Sequence, residues 1–135
     1  MNAVTLVRSQ FLAPTVEYAY AATAPARGHV VWTAGACPLD AEGATVAPGD
    51  LIAQAEQVMR NLRTALAEAG AGLADIVKTT VYVATTRQED LVAAWKVVRD
   101  HMGGHDAPST LLGVTVLGYP DQLVEVEAVA VTSGV

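Results

Sequence analysis

Residues 107–131 read APSTLLGVTVLGYPDQLVEVEAVAV, and the pairing of these residues decides the fold. The pattern predicts two strands, Ser109–Leu117 and Leu123–Thr132, joined at Gly118-Tyr119-Pro120-Asp121, where Gly and Pro favour a tight turn. A turn of this kind makes the two strands neighbours, paired as a hairpin. In the second strand a period of two places Val124, Val126, Ala128 and Ala130 on one face. The other face carries Leu123, Glu125, Glu127, Val129 and Val131, so two carboxylates share an otherwise apolar surface. Two residues apart on one strand face, they lie roughly 6 to 7 Å from each other and repel unless water or a partner intervenes. A wetted sheet margin and a pocket carboxylate both fit this pattern.

Upstream, Val4–Val7 reads as an edge strand and Phe11–Thr15 as a loop broken by Pro14. Val16–Ala22 alternates, with Val16, Tyr18, Tyr20 and Ala22 on one face, and Pro25-Ala26-Arg27-Gly28 turns it into a strand over His29–Ala34, which predicts an antiparallel hairpin. The two tyrosines serve either as packing with hydroxyls at the rim or as phenols in a pocket. His29 is expected to be solvated. Gly35 and Pro38 end the strand, and Cys37, with no base beside it in sequence, reads as a buried small apolar residue.

Asp50 precedes a helical repeat of Ile52, Ala55, Val58, Met59, Leu62, Ala65, Leu66 and Ala69, closed by Gly70. Ile76–Ala84 is Val- and Thr-rich and predicts a strand with Val77, Thr79, Val81 and Val83 on one face and Lys78, Thr80 and Tyr82 on the other. Thr86-Arg87-Gln88-Glu89 matches a capping box opening a second helix through Leu91, Ala94, Trp95, Val98 and Met102, which Gly103-Gly104 ends. The order is three strands, helix, strand, helix, two strands. It implies an α+β domain, a mixed sheet with two helices on one face, and leaves the other face in need of a partner.

Composition narrows the function. The 135 residues fit one domain, and 52% of them are apolar, mostly small, which points to surface covered by like subunits. With 14 acidic against 8 basic residues and a net charge of −6, a nucleic-acid backbone is repelled. A single cysteine leaves no internal disulfide framework and fits a reducing compartment, and no stretch reads as a signal peptide or membrane span, so a soluble cytoplasmic protein is expected. There is no phosphate-binding glycine loop and no nucleophile elbow. His101 and His105 stand four apart, but Gly103 and Gly104 lie between them and no third ligand is near, so neither a metal nor a cofactor is expected.

Several segments together resemble the Rid family, also called YjgF or RidA, the reactive intermediate deaminases. They are Val30-Val31-Trp32-Thr33-Ala34-Gly35 with Pro38, the helix from Gln54 through Asn61-Leu62 to Ala69-Gly70, Asp75-Ile76-Val77-Lys78-Thr79-Thr80-Val81, and Val124-Glu125-Val126-Glu127-Ala128-Val129-Ala130. The resemblance runs from Val16 to Thr132 and implies a single Rid-like domain over residues 1–135. It also implies a chorismate-mutase-like α+β fold with a mixed six-stranded sheet, assembled as a homotrimer with ligand pockets at the subunit interfaces. Family members with known activity hydrolyse imines or enamines of 2-keto acids, release ammonia and use no cofactor.

Carried over by position, the family's water-positioning glutamate matches Glu125, its aromatic hydroxyl Tyr18 and its pocket glycine Gly35. Other positions depart from the pattern. The arginine that clamps the substrate carboxylate is replaced by Ser109, followed by Thr110. The serine before the glycine is Ala34, the glutamine after it Ala36, and an asparagine of the second helix Trp95. A hydroxyl cannot neutralise a carboxylate. The changes therefore imply a pocket, shaped by Tyr18, Ala34, Gly35, Trp95, Ser109 and Thr110, for a neutral or apolar ligand, with Trp95 equally readable as core. His105 and Arg8 are the cations that could stand in for the arginine. Three functions compete: a Rid-like hydrolase, a non-catalytic trimer that binds a metabolite, and an endoribonuclease, which the charge disfavours.

Overall fold

A computed structural model describes residues 3–25 and 27–133. Its elements are β1 (Thr5–Val7), β2 (Ala21–Thr23), β3 (Val30–Trp32), α1 (Leu51–Glu68), a single 3-10 turn (Leu73–Asp75), β4 (Ile76–Ala84), α2 (Gln88–Met102), β5 (Ser109–Val114) and β6 (Val124–Val131). This is the element order expected from the sequence. The pairing of the strands is not.

Strands β3, β6, β4 and β5 form one mixed sheet in that spatial order, and β1 and β2 form a separate two-stranded ribbon. The single six-stranded sheet is thus corrected, among the described residues, to four strands and two. Instead of pairing with its predecessor, β6 runs antiparallel between β3 and β4, while β5 lies parallel to β4 at the edge. The hairpin expected over 109–132 is therefore absent. Parallel β4 and β5 need a crossover, which α2 provides, and β4 then occupies the place beside β5 that β6 would have taken. A turn does form near Tyr119, with Gln122 N donating to Tyr119 O at 3.2 Å, but it returns the chain across β4.

The second expected hairpin also fails. Strand β2 covers only Ala21–Thr23 and pairs with β1, whereas β3 pairs with β6. Residues 16–20 satisfy their polar groups elsewhere: Ala19 N donates to Asp106 O at 2.7 Å and the Tyr20 hydroxyl to Ala13 O at 2.8 Å. Of the turn proposed over Pro25–Gly28, Ala26 lies outside the described residues.

Both helices pack on one face of the sheet. Ala55, Val58, Met59, Leu62 and Leu66 of α1 meet Val124, Val126, Ala128 and Ala130 of β6, and Val81 and Val83 of β4 complete a core with Ala94, Val97 and Val98 of α2. The β6 alternation read from sequence is the one observed. In β4 it holds from Lys78 onward, while a bulge between Ile76 and Lys78 leaves Ile76, not Val77, fully buried. The Asp50 carboxylate caps α1, accepting from Ala53 N at 3.0 Å, and Gly70 follows at φ 84°. The capping box expected at Thr86 is not formed. Arg87 is the N-cap, and Thr85 Oγ1 accepts from Arg87 N at 3.0 Å and donates to Asp90 at 2.6 Å.

The opposite sheet face has no layer over it among the described residues. Trp32 there is 74% exposed, with Val30 and Leu112 also exposed. Between them run polar pairs, Tyr82 hydroxyl to Glu127 at 2.5 Å and Lys78 Nζ to Thr110 Oγ1 at 2.6 Å.

Candidate functional site

The register of β6 sends Glu125 to the open face, across from Tyr82, and its carboxylate turns toward the segment leaving β3. That segment is pinned to β6 by a bridge between Ala36 and Val126, which sets Gly35 and Cys37 on either side of the contact. Cys37 Sγ lies 3.3 Å from Glu125 Oε1, and Gln122 Nε2 donates to the same oxygen at 3.1 Å. Gly35 lies directly beneath the carboxylate: a Cβ there would overlap Glu125 Oε2 and stand 2.5 Å from Cδ, so any side chain at this position would push the carboxylate aside. Close approach of the carboxylate, and not a turn, is what favours glycine here.

Burial, followed by the hydrogen bond and charge of Glu125, pushes the Cys37 thiol up from 9.0 to about 11, so it remains a neutral S–H donor at ordinary pH. Gly35 and Cys37 also line an open cleft of about 560 Å³, walled by Leu39, Asn61 and Tyr119. Asn61 shapes it by donating to the carbonyls of Cys37 and Leu39, both at 2.9 Å. Ala34 faces a neighbouring hollow with Gly35 and Trp32.

Tyr18, Trp95 and Ser109 form a second group. With Leu111 they line a mainly apolar hollow of about 200 Å³. Tyr18 packs edge to face on Tyr20 at 5.9 Å and on Trp95 at 6.5 Å, and the Trp95 indole N–H donates to Glu17 at 3.2 Å. Trp95 both packs against the core and lines this hollow. Ser109 Oγ accepts from Thr79 Oγ1 at 2.7 Å, which leaves its own hydroxyl proton free to donate.

The sheet separates the two groups. Thr79, buried on the helix side, holds Ser109 on that side, whereas Glu125 belongs to the open face. Within one chain they cannot line one pocket. Thr110 joins neither group and binds Lys78 on the open face. Neither substitute cation reaches the apolar hollow: His105 Nε2 sits 2.7 Å from Ile76 O. Arg8 pairs with Asp106 at 2.9 Å and lines a smaller hollow that shares Tyr18. His101 Nε2 contacts Glu56 at 2.6 Å, away from both groups. Among the described residues no group of three His, Cys, Asp or Glu could hold a metal, and no helix is long and apolar enough to cross a membrane.

Sequence reasoning missed two participants. Cys37 reads from sequence as a buried small apolar residue but is half-buried and donates to Glu125; its place two residues after Gly35 is the signal that could have put it on the same side of the bridge. Gln122, 4% exposed, left no signal at all, because its role depends on the turn before β6.

Comparison with known proteins agrees with this architecture. The family profile described as Endoribonuclease L-PSP matches residues 10–132. A RutC family protein of Pyrococcus abyssi is 34% identical over 104 residues, covering 76% of this chain and 79% of that protein. The crystal structure of YyfB from Yersinia pestis, a conserved Rid-family protein described as of unknown function, superposes with a TM-score of 0.86 at 30% identity, covering 96% of this chain and 98% of that one. A YjgF-family protein of Mycobacterium tuberculosis gives a TM-score of 0.65 at 29% identity, covering 96% and 99%. With the profile spanning nearly the whole chain and the fold shared throughout, the chain belongs to the endoribonuclease L-PSP family, also known as the YjgF or Rid family.

Proposed function

We propose that the chain is one Rid-like domain that assembles as a homotrimer and hydrolyses an imine, enamine or related small molecule carrying an apolar group. In this reading Glu125 of one subunit and the Tyr18, Trp95 and Ser109 hollow of its neighbour form a composite pocket. The observation that carries it is the division of the site by the sheet, which makes each half incomplete alone. The exposed Trp32, Val30 and Leu112 on the uncovered sheet face supply the apolar surface for association.

Glu125 would hold a water by accepting its hydrogen bond. The water oxygen adds to the imine carbon while one of its protons passes to Glu125, the C=N π pair moves to nitrogen, and nitrogen takes up that proton. In the resulting carbinolamine the hydroxyl proton passes to nitrogen by way of the same carboxylate, the C–N bond breaks, and ammonia leaves as the carbonyl forms. General acid–base assistance of this kind contributes about 10² to 10⁴ in rate. No cofactor enters the scheme. The −6 net charge sets the acidic surface against RNA, whatever the family's description, and leaves a small molecule as the substrate.

A second reading, a trimer that binds a metabolite without turnover, is favoured by the hollow at Ser109, which has no cation in its wall. Ammonia release from imines generated in place by an amino-acid oxidase, across small, acidic and aromatic side chains, separates the two. Acceleration of aromatic or apolar imines, lost in Glu125→Gln, supports hydrolysis. Saturable binding without any product supports the second reading.

A further inference from the structure

We infer that Cys37 and Gln122 are positioning residues that clamp one oxygen of Glu125 and so dedicate the other to the ligand. The inference rests on the reading of Glu125 as the group that holds the attacking water.

The geometry divides the carboxylate in two. Oε1 accepts the Gln122 amide at 3.1 Å and faces the Cys37 thiol at 3.3 Å, while Oε2 receives no hydrogen bond from the described residues. The thiol has a second acceptor, Gly35 O at 3.4 Å, but an ionised carboxylate draws a donor more strongly than a neutral carbonyl. Gln122 cannot be turned around. Its oxygen accepts Tyr119 N at 3.1 Å, and its nitrogen also donates to Val124 O at 3.1 Å. Rotating the amide would set oxygen against carbonyl and carboxylate together. A buried side chain with all three partners fixed thus aims one N–H at Oε1.

Gly35 provides the remaining restraint from below: the Cβ it lacks would overlap Oε2 first, so the second oxygen is free of donors yet seated over the glycine, which leaves only its outer side for a ligand. A carboxylate held at one oxygen by two donors loses rotational freedom, and the free oxygen presents a single direction to a bound water. The residues involved belong to three separate segments, 35–37, the turn at 119–122, and β6. The convergence ties the first two segments to a glutamate on the partly exposed face, away from the helix-side core.

Two measurements test this, both on the assembled protein, with circular dichroism and particle size confirming the fold of each variant. The first follows the pH dependence of Cys37 alkylation by iodoacetamide. A midpoint near 11 is expected for the wild type, falling in Glu125→Gln and rising in Gln122→Met, because the carboxylate raises and the amide lowers the thiol. The second is steady-state turnover of the imine identified by the ammonia assay. Cys37→Ala and Gln122→Met are each expected to lower kcat on the order of 10-fold with KM little changed, and Cys37→Ser, which keeps a donor, to restore most of it. Burial alone holds the thiol up, so an alkylation midpoint that neither Glu125→Gln nor Gln122→Met moves, wherever it lies, would overturn the clamp. So would unchanged kcat in Cys37→Ala and Gln122→Met. If the wild type turns over no imine, the hydrolase reading fails by itself, and the opposed shifts in alkylation still decide whether the clamp exists.

Discussion

The Glu125 carboxylate lies across Gly35 so closely that a Cβ at that position would stand 2.5 Å from Glu125 Cδ and 2.8 Å from Cγ. The overlapping atoms belong to the far part of a flexible side chain, so Gly35→Ala should move the carboxylate before it disturbs the backbone. The variant is expected to fold and assemble normally while turnover falls on the order of 10²-fold, the cost typical of a reacting group misplaced by about 1 Å. Normal turnover in a well-folded Gly35→Ala protein would detach Glu125 from the chemistry.

The raised thiol of Cys37 has a consequence for stability. Its folded value of about 11 exceeds the ordinary 9.0, so between these values the native state holds a proton that the unfolded chain releases. Stability from this group is complete below about pH 9 and declines as pH rises through about 11. Denaturant midpoints of wild type and Cys37→Ala, compared across this window, are expected to converge as pH increases, the comparison cancelling the lysines and tyrosines that titrate there. A constant difference would mean that neither burial nor Glu125 raises the thiol in the folded protein.

Much of the fold was legible in the sequence. The alternation of β6, the limits of β4 and the Asp50 cap are local, and each appears as read. What failed was pairing between segments. The Gly118–Asp121 signal describes a bend, but nothing in it specifies that β4 will intervene, since that depends on α2 carrying β5 back parallel to β4. The Tyr18–Tyr20 segment alternates like a strand yet gives its backbone to Asp106 and Val7, contacts between residues far apart in sequence. Resemblance supplied a single set of site residues. Their separation by the sheet became visible only once Ser109 was placed beside Thr79.

Ser109 and Trp95 offer a route to changed specificity. The hollow they line is small and mainly apolar, so Ser109→Arg alone would collide with the indole; paired with Trp95→Asn it gains room. The double variant is expected to shift preference at least 10-fold toward imines that bear a carboxylate, because a guanidinium can pair with it in two parallel hydrogen bonds. Competition assays with acidic and aromatic imines would read the shift, and an unaltered preference would remove this hollow from the substrate path.

Asp50 gives a test of the fold independent of function. Its carboxylate holds Ala53 N at 3.0 Å at the start of α1. Asp50→Ala is expected to lower unfolding free energy by about 1 kcal/mol without changing turnover, measured by urea denaturation.

Trp32, at 74% exposed, tests the assembly. A charge in its place, Trp32→Glu, should oppose burial of the open sheet face, and light scattering is expected to report monomers. A trimer that persists would mean that subunits meet elsewhere.

The most direct test of a site shared between subunits is complementation. Glu125→Gln removes one half, and Ser109→Trp fills the other. Each alone is expected to release almost no ammonia from the preferred imine. When equal amounts are unfolded together and refolded, random assembly should leave about one site in four with both halves intact, and activity should return in that proportion. Recovery to about a quarter of the wild-type rate is the result expected. A mixture as inactive as its components, with trimers confirmed by light scattering, would contradict the shared site.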